Sequence, residues 1–160
     1  MDRTQQDKVW MRAALEQARD AAELGEVPVG AILVRDGVEI AAAHNLRQTR
    51  CMATAHAEIL AIEEGCRQLG ARRLSDCTLY VTLEPCPMCA GALVSARIGR
   101  IVFGAKDPRA GACGSMINLF AYPLEAKPDI TDGVLEEECL ALLRSFFEKK
   151  RKKNEKKESV

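Results

Sequence analysis

Two short segments hold residues whose types and spacing can do chemistry: His56-Ala57-Glu58 and Pro85-Cys86-Pro87-Met88-Cys89. Cysteines three apart at the start of a helix point to one side. Free backbone N–H groups and the helix dipole there favour the thiolate form. Two thiolates and one imidazole fill three tetrahedral positions of a zinc ion. A structural site closes the fourth position with protein, whereas a catalytic site leaves it to water. Two thiolates already neutralise Zn²⁺, so bound water ionises less readily than in an all-histidine site, and a nearby base helps. Glu58, two residues past His56, does not chelate from the same helix face and can instead take the proton of that water. The combination reads as zinc-assisted hydrolysis. Each half alone says less. A Cys-x-x-Cys pair also suits a redox dithiol, and a closed structural zinc site has Cys51, Cys113 or His44 as its available fourth ligand.

The elements that must position these groups follow from pattern. Residues 7–24 read as an amphipathic helix, with Asp7 as its cap and Gly25 after its end. Val29 to Val34 is a strand, Asp36-Gly37 a hairpin turn, and Val38 to Ala43 the returning strand. A helix follows from about Thr54 to Leu69. Cys77 to Leu83 alternates as a strand, and Pro87 opens a helix to about Ser95. Arg100 to Gly104 is a further strand, 105–114 a loop and 115–120 a short helical piece. Ile130 lies in a brief extended segment. A last helix spans 133–150, with Leu135, Cys139, Leu142, Leu143, Phe146 and Phe147 on its buried stripe. Strands separated by helices pair in parallel, the hairpin is antiparallel, and the expected class is α/β: a mixed sheet with helices on both faces. His56 then begins one helix, and Cys86 and Cys89 begin the next.

The 160 residues suit one domain, expected over 1–150, with residues 151–160 as a basic tail expected to be disordered. No apolar run approaches the ~18 residues of a membrane span. No secretory signal is evident at the start, and the cysteine count, seven, is odd. A reducing, cytoplasmic setting fits better than a disulfide framework. The five cysteines outside the pair read as small core residues. Lysine plus arginine and aspartate plus glutamate number 23 each, yet this balance hides an asymmetry. Residues 148–160 carry seven basic and three acidic groups, 7 − 3 = +4, so the remainder carries −4.

At the His56–Glu58 and Pro85–Cys89 segments the sequence resembles the zinc-dependent nucleobase deaminases of the cytidine/deoxycytidylate deaminase superfamily, whose signature is H-x-E…P-C-x-x-C. Glu26 to Ala31, Thr54 to Glu58, Leu79 to Cys86, Val102 to Ala105 and Gly114-Ser115 are similar to the tRNA-specific adenosine deaminases of bacteria. So is the closing helix with Glu138-Cys139 and Phe146-Phe147. The resemblance covers about residues 7–151. It implies a three-layer α/β/α fold with a mixed central sheet of about five strands, a homodimer, and one Zn²⁺ per chain. It implies hydrolysis of a cyclic amidine C–N bond: a wobble adenosine in a tRNA anticodon becomes inosine as zinc-activated water attacks C6. On this resemblance His56, Cys86 and Cys89 match the metal ligands and Glu58 the proton shuttle. Asn45 matches the asparagine that holds the base edge, Val29 a pocket wall, and Asp107 and Phe147 positions that meet flanking nucleotides. The chain departs from the family at Met52-Ala53, where Asp-Pro is usual, and at Glu125-Ala126.

Read from the residues alone, other roles stay open. Asn45 also fits a turn at a strand exit, Asp107 a turn before Pro108, Phe147 a core position, and His44 a polar strand end. Two other functions compete with the tRNA enzyme. One is deamination of a free base or nucleoside such as guanine, cytosine or adenosine. The other is a non-catalytic, zinc-stabilised RNA-binding subunit, which would have no use for Glu58.

Overall fold

The computed structural model describes residues 1–158. In chain order they form α1 (Arg3–Glu23), β1 (Gly30–Arg35), β2 (Val38–His44), α2 (Ala57–Leu69), β3 (Thr78–Leu83), α3 (Pro87–Ser95), β4 (Arg100–Ala105), a 3₁₀ turn (Leu119–Ala121), β5 (Asp129–Thr131) and α4 (Glu136–Glu158). The strands make one mixed sheet in the order β2-β1-β3-β4-β5. β1 is antiparallel to both β2 and β3, while β3–β4 and β4–β5 are parallel. The hairpin turns at Asp36 (φ 52°) and Gly37 (φ 72°), the paired left-handed residues of a turn whose twist matches its strands.

The alternation along the strands divides the core in two. Ala31, Leu33, Leu79, Val81, Ile101 and Phe103 face one side, where they meet α2 and α3 through Ala57, Ala61, Ala90 and Leu93. Ile32, Val34, Tyr80 and Val102 face the other, against Met11, Ala14 and Leu15 of α1 and Cys139 of α4. The alternation in β3 therefore separates two buried layers rather than core from solvent: Tyr80 and Thr82 are buried alongside Leu79 and Val81. This is the three-layer arrangement expected for a covered sheet.

One edge of the sheet gathers the chain ends that matter. Gly30 pairs with His44, Ala31 with Val81, and Leu83 with Ala105. The entrance to β1 thus lies beside the exits of β2, β3 and β4. Residues just outside these ends, Val29, Asn45, Glu84 and Asp107, converge there. In open α/β sheets the carboxyl ends of the strands are where ligands sit.

Several expectations are corrected. Asp7 is not the cap of α1. Asp2 is, accepting from the Gln5 N–H at 2.9 Å while the Gln5 side chain accepts from the Asp2 N–H at 3.2 Å. Asp7 is buried and receives Arg100 Nη1 and Nη2 at 2.7 Å each and the Tyr80 hydroxyl at 2.9 Å, tying α1 to β3 and β4. The 115–120 segment is a bridge between Cys113 and Asn118 followed by the 3₁₀ turn. Cys51 is exposed rather than a core residue. Over 151–158 the tail expected to be disordered continues α4 as helix, while its last two positions, 159–160, lie outside the described residues. Its Glu, Lys and Arg residues are strong helix formers, and Glu148–Lys152 and Arg151–Glu155 have i,i+4 spacing.

The Asp7 contact makes a pH prediction. Burial alone would raise its carboxyl pKa, but the hydrogen bonds from Arg100 and Tyr80 and the charge of Arg100 hold it below the ordinary value. The stability it contributes is complete above the unfolded aspartate pKa of about 3.9 and is lost as pH falls through the lower folded value. Urea denaturation from pH 7 to pH 3 should show this loss. Asp7→Asn should be less stable at pH 7 and have a shallower acid slope; an unchanged slope would remove Asp7 from the acid response.

Candidate active site

The metal-type donors stand at two helix starts. His56 is the N-cap of α2 and Cys86 the N-cap of α3, both extended in backbone, with Cys89 in the first turn after Pro87. The His56 side chain makes no capping hydrogen bond to α2, and it meets both cysteines at a shared centre. His56 Nδ1 lies 3.4 Å from Cys89 Sγ and 3.7 Å from Cys86 Sγ. All three ligand atoms fall within 4.8 Å of one another.

These distances test the fit of zinc. Tetrahedral zinc, with Zn–S about 2.3 Å and Zn–N about 2.0–2.1 Å, places sulfur and nitrogen about 3.5 Å apart. The observed separations bracket that value, so the residues fit the ion. Among the described residues no fourth histidine, cysteine or carboxylate joins the group. Cys51, Cys113 and His44 stay outside it, which is the open arrangement of a reactive site rather than the closed one of a structural site. A hydrogen bond from Cys89, opposed by burial and helped by His56, draws the Cys86 thiol down to about 4. The Cys89 thiol is pushed up by its bond to Cys86 and by burial.

Glu58 lies in the first turn of α2 and is only 4 % exposed. Burial pushes its carboxyl pKa up, against the opposing pull of a backbone hydrogen bond and the His56 charge. It shares a cavity of about 150 Å³ with Val27, Val29, Asn45, Arg47, His56, Leu83, Glu84, Cys86, Asp107 and Ala110. Val29, Asn45 and Asp107, expected at the site, are therefore brought to it. The Asn45 Nδ2 reaches the Val27 carbonyl at 3.4 Å, while its Oδ1 is buried and has no hydrogen-bond partner among the described residues. A buried orphan acceptor is costly unless something donates to it. An arriving ligand with an N–H edge would do so.

Two placements refine the expectations. The Asp107 carboxylate accepts from the Arg109 and Ala110 N–H groups at 3.0 and 3.3 Å, so it makes the turn as well as lining the cavity. Phe147 is neither on the buried stripe of α4 nor in the cavity. It is 44 % exposed and packs edge-on to Phe146. It lines an adjoining groove of about 770 Å³ with Lys106, Asp107, Pro108, Arg109, Lys150 and Arg151. Val27, Leu83 and Asp107 line both spaces, so groove and cavity adjoin.

Sequence reasoning missed two buried carboxylates. Glu26, 1 % exposed, accepts from the Gln48 and Thr49 N–H groups and the Thr49 hydroxyl, and so holds the loop that carries Arg47. Glu84 does the same for the loop that carries Asp107. Both carboxyls sit below their ordinary pKa; burial alone would raise them, but these hydrogen bonds outweigh it. A glutamate beside Gly or Pro in a loop carries no periodic signal, so only the fold reveals it.

A covered mixed sheet with an open His–Cys–Cys group and a buried glutamate at its carboxyl edge defines a hydrolytic deaminase. The model of the MafB19-like deaminases matches residues 5–151, and the chain belongs to this family. It is 51 % identical to the tRNA-specific adenosine deaminase of Bacillus subtilis over 149 residues, 92 % of either chain. A solved tRNA:A34 deaminase, studied for A-to-I editing at the wobble position of transfer RNA, superposes with a TM-score of 0.82. It shares 46 % identity and is matched over 84 % of this chain and 99 % of its own. A guanine deaminase from Nitrosomonas europaea is more distant, with a TM-score of 0.77 and 27 % identity over 87 % of this chain and 83 % of its own.

Proposed function

We infer that the protein hydrolyses the wobble adenosine of a tRNA anticodon to inosine, with release of ammonia. The observation that carries this reading is that the small cavity holding Glu58 shares walls with a basic, Phe147-lined groove. A free base needs the cavity alone; a base within an RNA needs a path for its neighbours. The identity to tRNA-specific adenosine deaminases, nearly twice that to the guanine deaminase, points the same way.

His56, Cys86 and Cys89 would hold one zinc ion, which when bound would orient a water and lower its pKa toward neutrality. Glu58 accepts a proton from the attacking water, passes it to N1 of adenine, and moves the second to the leaving ammonia. Its burial keeps that proton from exchanging with solvent. The unpartnered Asn45 Oδ1 accepts from a donor on the base edge, with Val29 against the ring. In the groove, Phe147 offers a face for a neighbouring base, while Lys106, Arg109, Lys150 and Arg151 suit phosphates. With seven free cysteines, the enzyme fits a reducing cytoplasm; among the described residues no helix is long and apolar enough to cross a membrane. We further infer a homodimer, for which the groove of about 480 Å³ between α2 and α3 is the candidate face: it mixes Ile59, Ile62 and Ala92 with the charged Glu63, Arg72 and Arg97.

The test is a substrate comparison. Purified protein with about one zinc per chain is incubated with an anticodon stem-loop bearing a wobble adenosine, and separately with adenine, adenosine, guanine and cytosine. Inosine should form in the stem-loop and no free base should react. Turnover of guanine in place of the stem-loop would overturn the reading.

A further inference from the structure

We propose that Glu84 is a positioning residue: its buried carboxylate folds the 105–115 loop around itself and so sets the distance between the metal-binding helix start and the loop that flanks the bound RNA. This rests on the function proposed above. Glu84 lies two residues before Cys86 and is 2 % exposed. One carboxylate oxygen accepts from the Asp107 N–H at 3.1 Å and from the Ser115 hydroxyl. The other accepts from the Cys113 and Ser115 N–H groups at 2.9 and 3.2 Å. The backbone adds to the same junction. The Glu84 N–H donates to the Ala105 carbonyl at 2.8 Å, and the Ala112 N–H to the Pro85 carbonyl at 2.8 Å.

Gly111 shows how close the loop approaches. A Cβ there would stand 2.4 Å from both Cδ and Oε2 of Glu84, so only glycine permits the backbone to close over the carboxylate. A charged acceptor with four donors is a stronger tie than the same number of neutral contacts. Its strength is directed at one loop. That loop supplies Asp107 and Ala110 to the cavity and Asp107, Pro108 and Arg109 to the groove. Glu84 also lines the cavity, but its carboxylate oxygens are taken up by the loop, and it is not one of the His–Cys–Cys group. Its loss should therefore loosen the RNA-facing wall and leave the metal group in place.

The experiment compares Glu84→Gln and Ser115→Ala with the parent holoenzyme. Gln keeps the shape but turns one acceptor oxygen into an amide NH₂ donor that faces other donors. Three readouts are taken: zinc per chain, KM and kcat on the stem-loop, and the rate at which trypsin cuts after the exposed Arg109. Expected are unchanged zinc, faster cutting at Arg109, and a KM raised about tenfold, the scale of one charge-assisted hydrogen bond lost, with kcat changed much less. Ser115→Ala should shift the same readouts in the same direction, by less. Loss of zinc, an equal fall in kcat with KM unchanged, or a lowered melting temperature with parental cutting at Arg109 would each overturn the proposal. If the parent enzyme does not react with the stem-loop, the functional reading fails, and the Arg109 cutting rate alone decides whether Glu84 holds the loop.

Discussion

Glu58→Ala is expected to keep its zinc and lose turnover by a factor of about 10²–10⁴, the scale of a removed proton-transfer group. Two features separate this residue from the metal group. It lies on the first turn of α2, whereas His56 lies on the cap before it, and it is absent from the group of mutually close donors. The loss should therefore fall on chemistry rather than on metal content. Glu58→Gln sharpens the test, because the amide fills the same space and cannot carry the proton. Single-turnover inosine formation should fall to a similar extent in both variants, with zinc by atomic absorption unchanged. A near-parental rate in either would remove Glu58 from the reaction; loss of zinc in both would make it a ligand.

The parts of this site that could be read in advance are those with fixed local spacing. Cys86 and Cys89 flank Pro87 at a helix start, and His56 and Glu58 straddle another, so chain geometry alone brings each pair into register. What spacing could not supply is the approach of the two helix starts to each other. That depends on β1 running antiparallel to β3 and β3 parallel to β4, which sets Val29, Asn45, Glu84 and Asp107 on one sheet edge. Buried charges were the least legible. Asp7 has the right residue type for a cap, and only the fold shows Arg100, 93 positions away, holding it. Glu26 and Glu84 satisfy loop N–H groups that no pattern of apolar residues marks. Phe147 fell on the apolar stripe by periodicity, but α4 leaves the body near this point and the stripe continues as a groove wall. Departures from the family resolve similarly: Glu125 pairs with Arg97, and Met52 is exposed in the loop that Glu26 holds.

Deleting residues 148–160 should weaken binding of the anticodon stem-loop and flatten its salt dependence. The basic residues of this segment are not a loose cloud of charge, because α4 is helical to Glu158. At about 1.5 Å per residue, the helix carries charge about 16 Å beyond Phe147. Its faces are unequal. Lys150, Arg151 and Asn154 follow Leu143 and Phe147 along the side that lines the groove, while Lys149 and Lys152 point away. Each phosphate contact contributes about 0.7 to the slope of log K against log salt for single-stranded nucleic acid and about 0.9 for a B-form duplex. Loss of two contacts therefore flattens the slope by about 1.4–1.8 and costs about 25–60-fold in affinity near 0.1 M salt. Binding titrations between 50 and 200 mM salt would measure it. The helical face gives a sharper form of the same test. Lys150→Ala with Arg151→Ala should reproduce most of the lost slope, and Lys149→Ala with Lys152→Ala little of it. Equal effects from the two pairs would mean that the segment acts by net charge alone. An unchanged slope on full deletion would mean that the RNA is held by the groove residues of the body, Lys106 and Arg109, without the helix.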